Sequence, residues 1–147
     1  MVAGRKGFFV SFEGGDGAGK SSQIGRLADM LRKRGFTVRV TREPGGSDGA
    51  EVIRKLLVEG AAERWGPMAE ALMMYAARAD HLERVIRPAL ERGEAVITDR
   101  FADSTMAYQG IAGALGPATV SKLHALVVGV DDPDITIVLD VPTEIGL

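Results

Sequence analysis

Cysteine is missing from the 147-residue sequence, so no disulfide frames the fold and no thiolate can hold a metal. A dominant charge is missing too, because 18 Lys and Arg against 20 Asp and Glu leave a net charge of −2. That balance projects no basic field toward nucleic acid or an anionic membrane, so neither is expected as a partner. No apolar run is long enough to span a bilayer. The run near the N-terminus is short and is broken by Glu13, which does not suit a signal peptide, and a cytoplasmic protein is the expectation. Internal repeats, low-complexity tracts and linkers are also absent, so residues 1–147 read as one domain, long enough to bury a proper core.

What is present begins with Phe8-Phe9-Val10-Ser11-Phe12, an apolar strand, followed by a glycine loop and a helix start. Gly14, Gly15, Asp16, Gly17, Ala18, Gly19, Lys20 and Ser21 fit G-x-x-x-x-G-K-[ST], and Ser22 follows at once. Glycines let the backbone curl until successive N–H groups face anionic oxygens. A helix starting near Gly19 adds the positive end of its dipole. In this motif Lys20 reaches the β- and γ-phosphates of a nucleotide, and the Ser21 hydroxyl ligates Mg²⁺.

Further along, Ile24, Leu27, Ala28, Met30 and Leu31 recur at helical spacing up to Gly35, and residues 37–41 read as a second strand. Strand, loop, helix and strand make a βαβ unit, hence an α/β fold with a parallel sheet flanked by helices. Arg42-Glu43-Pro44-Gly45-Gly46 has turn chemistry. It is either a plain turn or part of a ligand site, since parallel sheets bind ligands past the C-terminal ends of their strands. Asp48 with Glu51 suggests a capping box, and Val52, Ile53, Leu56 and Leu57 an apolar helix face, with Arg54 facing either solvent or the cleft. Residues 68–92 read as a helix that Pro88 kinks or divides, and Met74 and Arg78 share one face of it. Residues 95–99 form a third, buried strand ending in Asp99, which serves either as a cap or, beside a phosphate loop, near the metal. Asp103, Ser104, Thr105, Tyr108 and Gln109 cluster at or after a helix start. A helix from Pro117 to about Val128, a turn at 131–134, a fourth strand at 135–140 and a new helix announced by Pro142 and Thr143 complete the reading.

Five blocks, 13–22, 41–46, 75–78, 99–100 and 104–110, together resemble bacterial thymidylate kinases, and the likeness runs from end to end. The resemblance implies a three-layer P-loop fold, ATP and dTMP as substrates, dTDP as product, Mg²⁺ as cofactor and a homodimer. It implies that residues Gly14 to Ser22 hold the ATP phosphates and that Lys20, Asp16, Asp99 and Arg100 are catalytic, with Ser21 and Asp99 at the metal. Asp16 falls where the family keeps an acidic residue near the sugar and the metal, and Arg100 would bridge donor and acceptor phosphates. Arg54 and Arg78 would contact the thymidylate, alongside Glu43. Ser104 or Thr105, with Gln109, would read the thymine edge, and Tyr108 would leave no room for a 2′-hydroxyl. Pro44 stands where the family often has a cis peptide bond.

Two features depart from the family pattern. Met74 occupies the position of the usual Phe that stacks on thymine, although methionine also packs on rings. Family chains also run substantially further, so this one resembles a thymidylate kinase that stops before its lid, adenine loop and last strand. Members with a residue such as Gly17 in place of an arginine in the loop draw a catalytic arginine from that lid. The expectation is dTMP binding with slow transfer, since an arginine aimed at a transferring phosphoryl group is worth roughly 10³ to 10⁵ in rate. Two other readings stay open: a kinase for a different nucleoside or nucleotide, and a nucleotide-binding module without turnover.

Overall fold

A computed structural model describes residues 6–142. Strand β1 (Phe8–Glu13) leads through the glycine loop into helix α1 (Lys20–Lys33), and β2 (Val38–Arg42) follows. Next come α2 (Asp48–Val58), α3 (Pro67–His81), a π-helical turn at Leu82–Ile86, α4 (Arg87–Glu91) and β3 (Ala95–Asp99). The chain continues through α5 (Ala102–Thr105), a second π-helical segment at Met106–Ile111, α6 (Pro117–Val127) and β4 (Ile135–Val138). The four strands form one parallel sheet in the order β2-β3-β1-β4.

Side chains alternate across the sheet and so build two cores. Phe9 and Val96 face one way and pack with Tyr75, Leu82, Ile86, Leu90, Phe101 and Val120 from α3 through α6. Val10, Phe12, Ala95 and Ile97 face the other way, against Ile24, Ala28 and Leu31 of α1. These are the three layers expected from the sequence. Helix α1 stops where Gly35, at φ 92°, lets the Phe36 N–H reach back to the Leu31 carbonyl at 3.1 Å. From β1 the chain crosses toward β2 on one side, whereas β3 and β4 lie on opposite sides of β1. The connections therefore part between the C-terminal ends of β1 and β3, the crevice where open parallel sheets take ligands.

The long helix is divided, but before the proline. Pro88 has no N–H to give to Arg84, and the chain adjusts upstream, where the Arg87 N–H bonds the Leu82 carbonyl five residues back. The α2 cap also differs from the expected Asp48 box. Ser47 is the N-cap, its Oγ accepting from the Ala50 N–H at 3.4 Å, and Glu51 reaches the Gly46 N–H at 2.9 Å. Ser47 holds the extended φ/ψ that a cap needs, while Asp48 is already helical. The anticipated apolar face of α2 is only partly covered, with Val52 and Leu56 exposed. The helix expected after Pro142 lies outside the described residues.

Gly7 precedes β1 and donates its N–H to the Leu90 carbonyl at 2.9 Å. A Cβ added there would overlap the backbone carbonyl of Glu94, which cannot retreat because the Glu94 N–H is bound to the Ala89 carbonyl. Gly7→Ala is expected to lower stability by about 1–3 kcal/mol through overpacking, read as a shifted midpoint in urea denaturation. An unchanged midpoint would show that the β1–β3 end is more yielding than its geometry.

Candidate functional site

The phosphate loop leaves β1 at Gly14, whose φ of 144° brings it so close to β4 that an added Cβ would sit 2.9 Å from the Leu139 carbonyl oxygen. Gly17 and Gly19, at φ 82° and 91°, complete the curl that delivers the chain to α1. No acidic residue stands in the first turn of α1, which leaves the positive end of its dipole uncompensated. Lys20 is buried, and its Nζ donates to the Gly14 carbonyl at 2.8 Å and lies 3.8 Å from Asp99 Oδ1. That Asp99 oxygen is buried and accepts no hydrogen bond among the described residues. Ser21 and Ser22 are exposed at the start of α1, and a cleft of about 670 Å³ runs from Ser21 and Asp99 along α1 to Arg42 and Glu51. A carboxylate oxygen in need of a partner, next to a helix-start hydroxyl, fits a hard divalent cation. The described residues hold no cluster of three His or carboxylate side chains, so such a cation would draw its remaining ligands from phosphate and water.

Past β3 the backbone turns sharply. Arg100 stands at φ 69°, a left-handed conformation unusual for a non-glycine residue. Its N–H donates to the Phe12 carbonyl and its own carbonyl accepts from Thr98 Oγ1, both at 2.9 Å. Its guanidinium lies 5.5 Å from the Tyr108 ring, donates to the Tyr108 hydroxyl at 3.3 Å and reaches Asp16 at 3.2 Å. Glu13 is buried beneath this turn, where Oε1 accepts from the Phe101 N–H at 2.7 Å and Oε2 from the Ser104 hydroxyl. Burial pushes the Glu13 carboxyl above its ordinary range, against the pull of the Ser104 and Phe101 hydrogen bonds.

A second cluster is centred on buried side chains. Arg78, 1% exposed, lies between the Tyr75 and Phe101 rings, 4.7 and 5.0 Å from their centroids. Its Nε donates to Glu43 Oε1 at 2.6 Å and its Nη2 to Thr105 Oγ1 at 3.0 Å. Glu43 Oε2 meets His81 Nδ1 at 2.7 Å, and His81 Nε2 meets Thr41 Oγ1 at 2.7 Å. With the carboxylate accepting, a proton sits on Nδ1, and the Thr41 hydroxyl is the hydrogen-bond partner at Nε2. Within this cluster Arg78 Nη1 is buried with no hydrogen-bond partner among the described residues.

The turn between β2 and α2 frames this cluster. The Glu43–Pro44 peptide is cis, and Arg54 Nη1 donates to the Pro44 carbonyl at 2.7 Å. Met74 is half-buried one turn before Arg78, Tyr108 is exposed, and Gln109 donates to Glu70 at 2.6 Å. Of the expected site residues, Asp16, Lys20, Asp99 and Arg100 meet at the ends of β1 and β3. Glu43, Arg78 and Thr105 meet one layer away. The Ser104 side chain turns to Glu13 and that of Gln109 to Glu70. Glu13 and His81, both part of these networks, went unassigned in the sequence. Glu13 is the carboxylate that ends an apolar strand just before the loop. His81 falls three residues after Arg78, on the same helical face.

A family model described as Thymidylate kinase matches residues 12–147. A thymidylate kinase of Caulobacter vibrioides is 61% identical over 142 residues, covering 97% of this chain and 68% of that protein. One of Rhizorhabdus wittichii is 57% identical over 136 residues, covering 92% of this chain and 65% of its own length. The chain thus spans about two thirds of these curated relatives. The crystal structure of thymidylate kinase from Ehrlichia chaffeensis superposes with a TM-score of 0.85 at 38% identity, over 94% of this chain and 78% of that one.

Removing Glu43 would leave the Arg78 charge buried without its partner. Glu43→Ala is therefore expected to cost about 3–5 kcal/mol of stability. Asp29→Ala, which breaks the exposed Asp29–Arg32 pair at 3.7 Å, should cost about 0–1 kcal/mol. Chemical denaturation of both variants checks the contrast, and equal losses would contradict it.

Proposed function

The chain belongs to the thymidylate kinase family, which phosphorylates dTMP to dTDP, and from that premise we propose how its own residues carry out the transfer from ATP. The observation that carries the reading lies at the ends of β1 and β3, where Lys20 stands 3.8 Å from a buried Asp99 oxygen that accepts no hydrogen bond among the described residues and Arg100 reaches Asp16 of the loop. Phosphoryl transfer asks a protein for positioning and positive charge more than for covalent chemistry. In this reading the residues from Gly14 to Ser22 cradle the ATP phosphates, and Lys20 exchanges the Gly14 carbonyl for phosphate oxygens. Arg100 lies across the gap between donor and acceptor, where charge spreads over the equatorial oxygens. Asp99 and the Ser21 hydroxyl would hold Mg²⁺, which would neutralise the charge that develops on the phosphate oxygens.

The acceptor side follows from the buried cluster. Arg78 Nη1 is a buried donor, and a carbonyl of the thymine ring satisfies it. Glu43, His81 and Thr105 fix the guanidinium so that this donor points one way. Met74 covers the ring, Arg54 stands with Pro44 at the rim, and Tyr108 with Asp16 flanks the sugar. Among the described residues no helix is long and apolar enough to cross a membrane, and a cytoplasmic setting suits the cysteine-free sequence. Val52 and Leu56 on α2 and Leu72 on α3 leave apolar surface exposed, which supports a homodimer that covers it.

A coupled assay with dTMP, dUMP, dGMP and AMP separates this reading from its rivals. The expectation is turnover with dTMP well above the others, and equal turnover with AMP or dGMP would favour a different nucleotide kinase. Lys20→Ala is expected to lower kcat about 10²–10³-fold, the usual effect of deleting one donor to transition-state charge. Parental turnover in that variant would remove the phosphate loop from the mechanism. Tyr108→Ala should shrink the preference for dTMP over its ribose counterpart by about tenfold or more, measured as a ratio of kcat/KM values. An unchanged ratio would place sugar selection elsewhere.

A further inference from the structure

Glu13 stands immediately before the phosphate loop, yet its side chain turns away from the cradle and into the protein. It is 7% exposed, and a buried carboxylate is costly unless its oxygens are engaged. Each oxygen has its own donor, the Phe101 N–H for Oε1 at 2.7 Å and the Ser104 hydroxyl for Oε2. The first donor belongs to the turn that carries Arg100 and the second to α5, which that turn leads into. The neighbouring Phe12 carbonyl takes the Arg100 N–H at 2.9 Å. The last two residues of β1 thus hold the turn and α5 at three points, the N–H groups of 100 and 101 and the hydroxyl of 104.

Arg100 needs that hold. At φ 69° its backbone sits in a region that a non-glycine residue keeps only when its surroundings over-determine it. Its guanidinium reaches back to the loop at Asp16. The turn and the loop are therefore joined twice, once through the Arg100 side chain and once through Glu13. Thr98 Oγ1 secures the carbonyl of Arg100, whereas among the described residues the Phe101 N–H and the Ser104 hydroxyl both give their hydrogen bonds to Glu13.

We infer that Glu13 is a positioning residue for the phosphoryl transfer: its carboxylate clamps the Phe101–Ser104 segment and thereby aims Arg100 at the phosphate loop. The inference rests on the reading of Arg100 as the cation at the transferring group. Without Glu13 the charge of Arg100 remains but its direction is lost. A misplacement of this kind acts on the chemical step more than on either substrate's binding.

The test compares kcat and both KM values for the parental chain, Glu13→Ala, Glu13→Gln, Arg100→Ala and the Glu13→Ala/Arg100→Ala double variant, with folding checked by circular-dichroism melts. Glu13→Ala is expected to lower kcat about 10²-fold, the usual scale of a 1 Å misplacement, with both KM values nearly unchanged. Glu13→Gln should recover most of that loss, because its amide oxygen accepts from Phe101 and its NH₂ donates to Ser104. In the Arg100→Ala background, Glu13→Ala should change kcat by less than about threefold, since coupled residues do not act independently. If Arg100→Ala leaves kcat unchanged, the reading of Arg100 falls and this inference with it. If Arg100→Ala lowers kcat while Glu13→Ala does not, or if the two losses multiply, only the role of Glu13 is overturned. Should Glu13→Ala fail to fold, Ser104→Ala removes half the clamp. A lower kcat coupled to Arg100 supports the inference, and a parental kcat overturns it.

Discussion

Strand β1 pairs with β3 so that Phe12 lies level with Asp99, and it pairs with β4 so that Glu13 lies level with Val138. Because side chains alternate along a strand, a slip of one residue would send every one of them to the opposite face. Phe9 would then leave the α3–α6 side and Val10 the α1 side, and neither core would close. The same register sets the end of the sheet. It puts the loop after Glu13 and the turn after Asp99 side by side, with Lys20 Nζ 3.8 Å from Asp99 Oδ1. The chemistry at the strand ends is thus tied to the hydrophobic packing beneath it.

The two halves of the site are held by different physics. Around the phosphate loop the work falls to backbone, through positive-φ glycines, a helix start and main-chain carbonyls. Around Arg78 it falls to buried side chains. Three ionisable groups, Arg78, Glu43 and His81, are withdrawn from water there, and the loss of solvation is tolerable because nearly every polar atom has a partner at hydrogen-bond distance. Such a network adopts one arrangement or fails, which suits discrimination between bases. Gly46, at φ 91°, belongs to it as well, because a Cβ there would overlap the His81 ring and Thr41.

What could be read in the sequence was local. The loop, the four strands, α1 and the α6 start at Pro117 announce themselves within a few residues through glycine spacing, β-branched runs and helical periodicity. Cap and helix boundaries shifted by small amounts, because Ser47 and Asp48 are both able caps and only backbone conformation chooses between them. The π-turn ahead of Pro88 was not legible, since a proline announces a break without saying where the ladder gives way. Glu13 and His81 were missed for a different reason. Their partners lie 88 and 38 residues away, at Phe101 and Glu43, and no periodicity carries that information. The side chains of Ser104 and Gln109 likewise found their partners through tertiary contacts with Glu13 and Glu70.

Arg100 combines a functional side chain with a backbone conformation that glycine would adopt more readily. The left-handed region costs a non-glycine residue about 1–2 kcal/mol. A library of variants at position 100, sorted once for thermal resistance and once for turnover, would therefore be ranked in two different orders. Selection for stability alone would drift toward glycine, and an averaged, stability-weighted choice at this position would erase the guanidinium. Laboratory evolution toward heat tolerance would need to hold position 100 constant and seek its gains elsewhere.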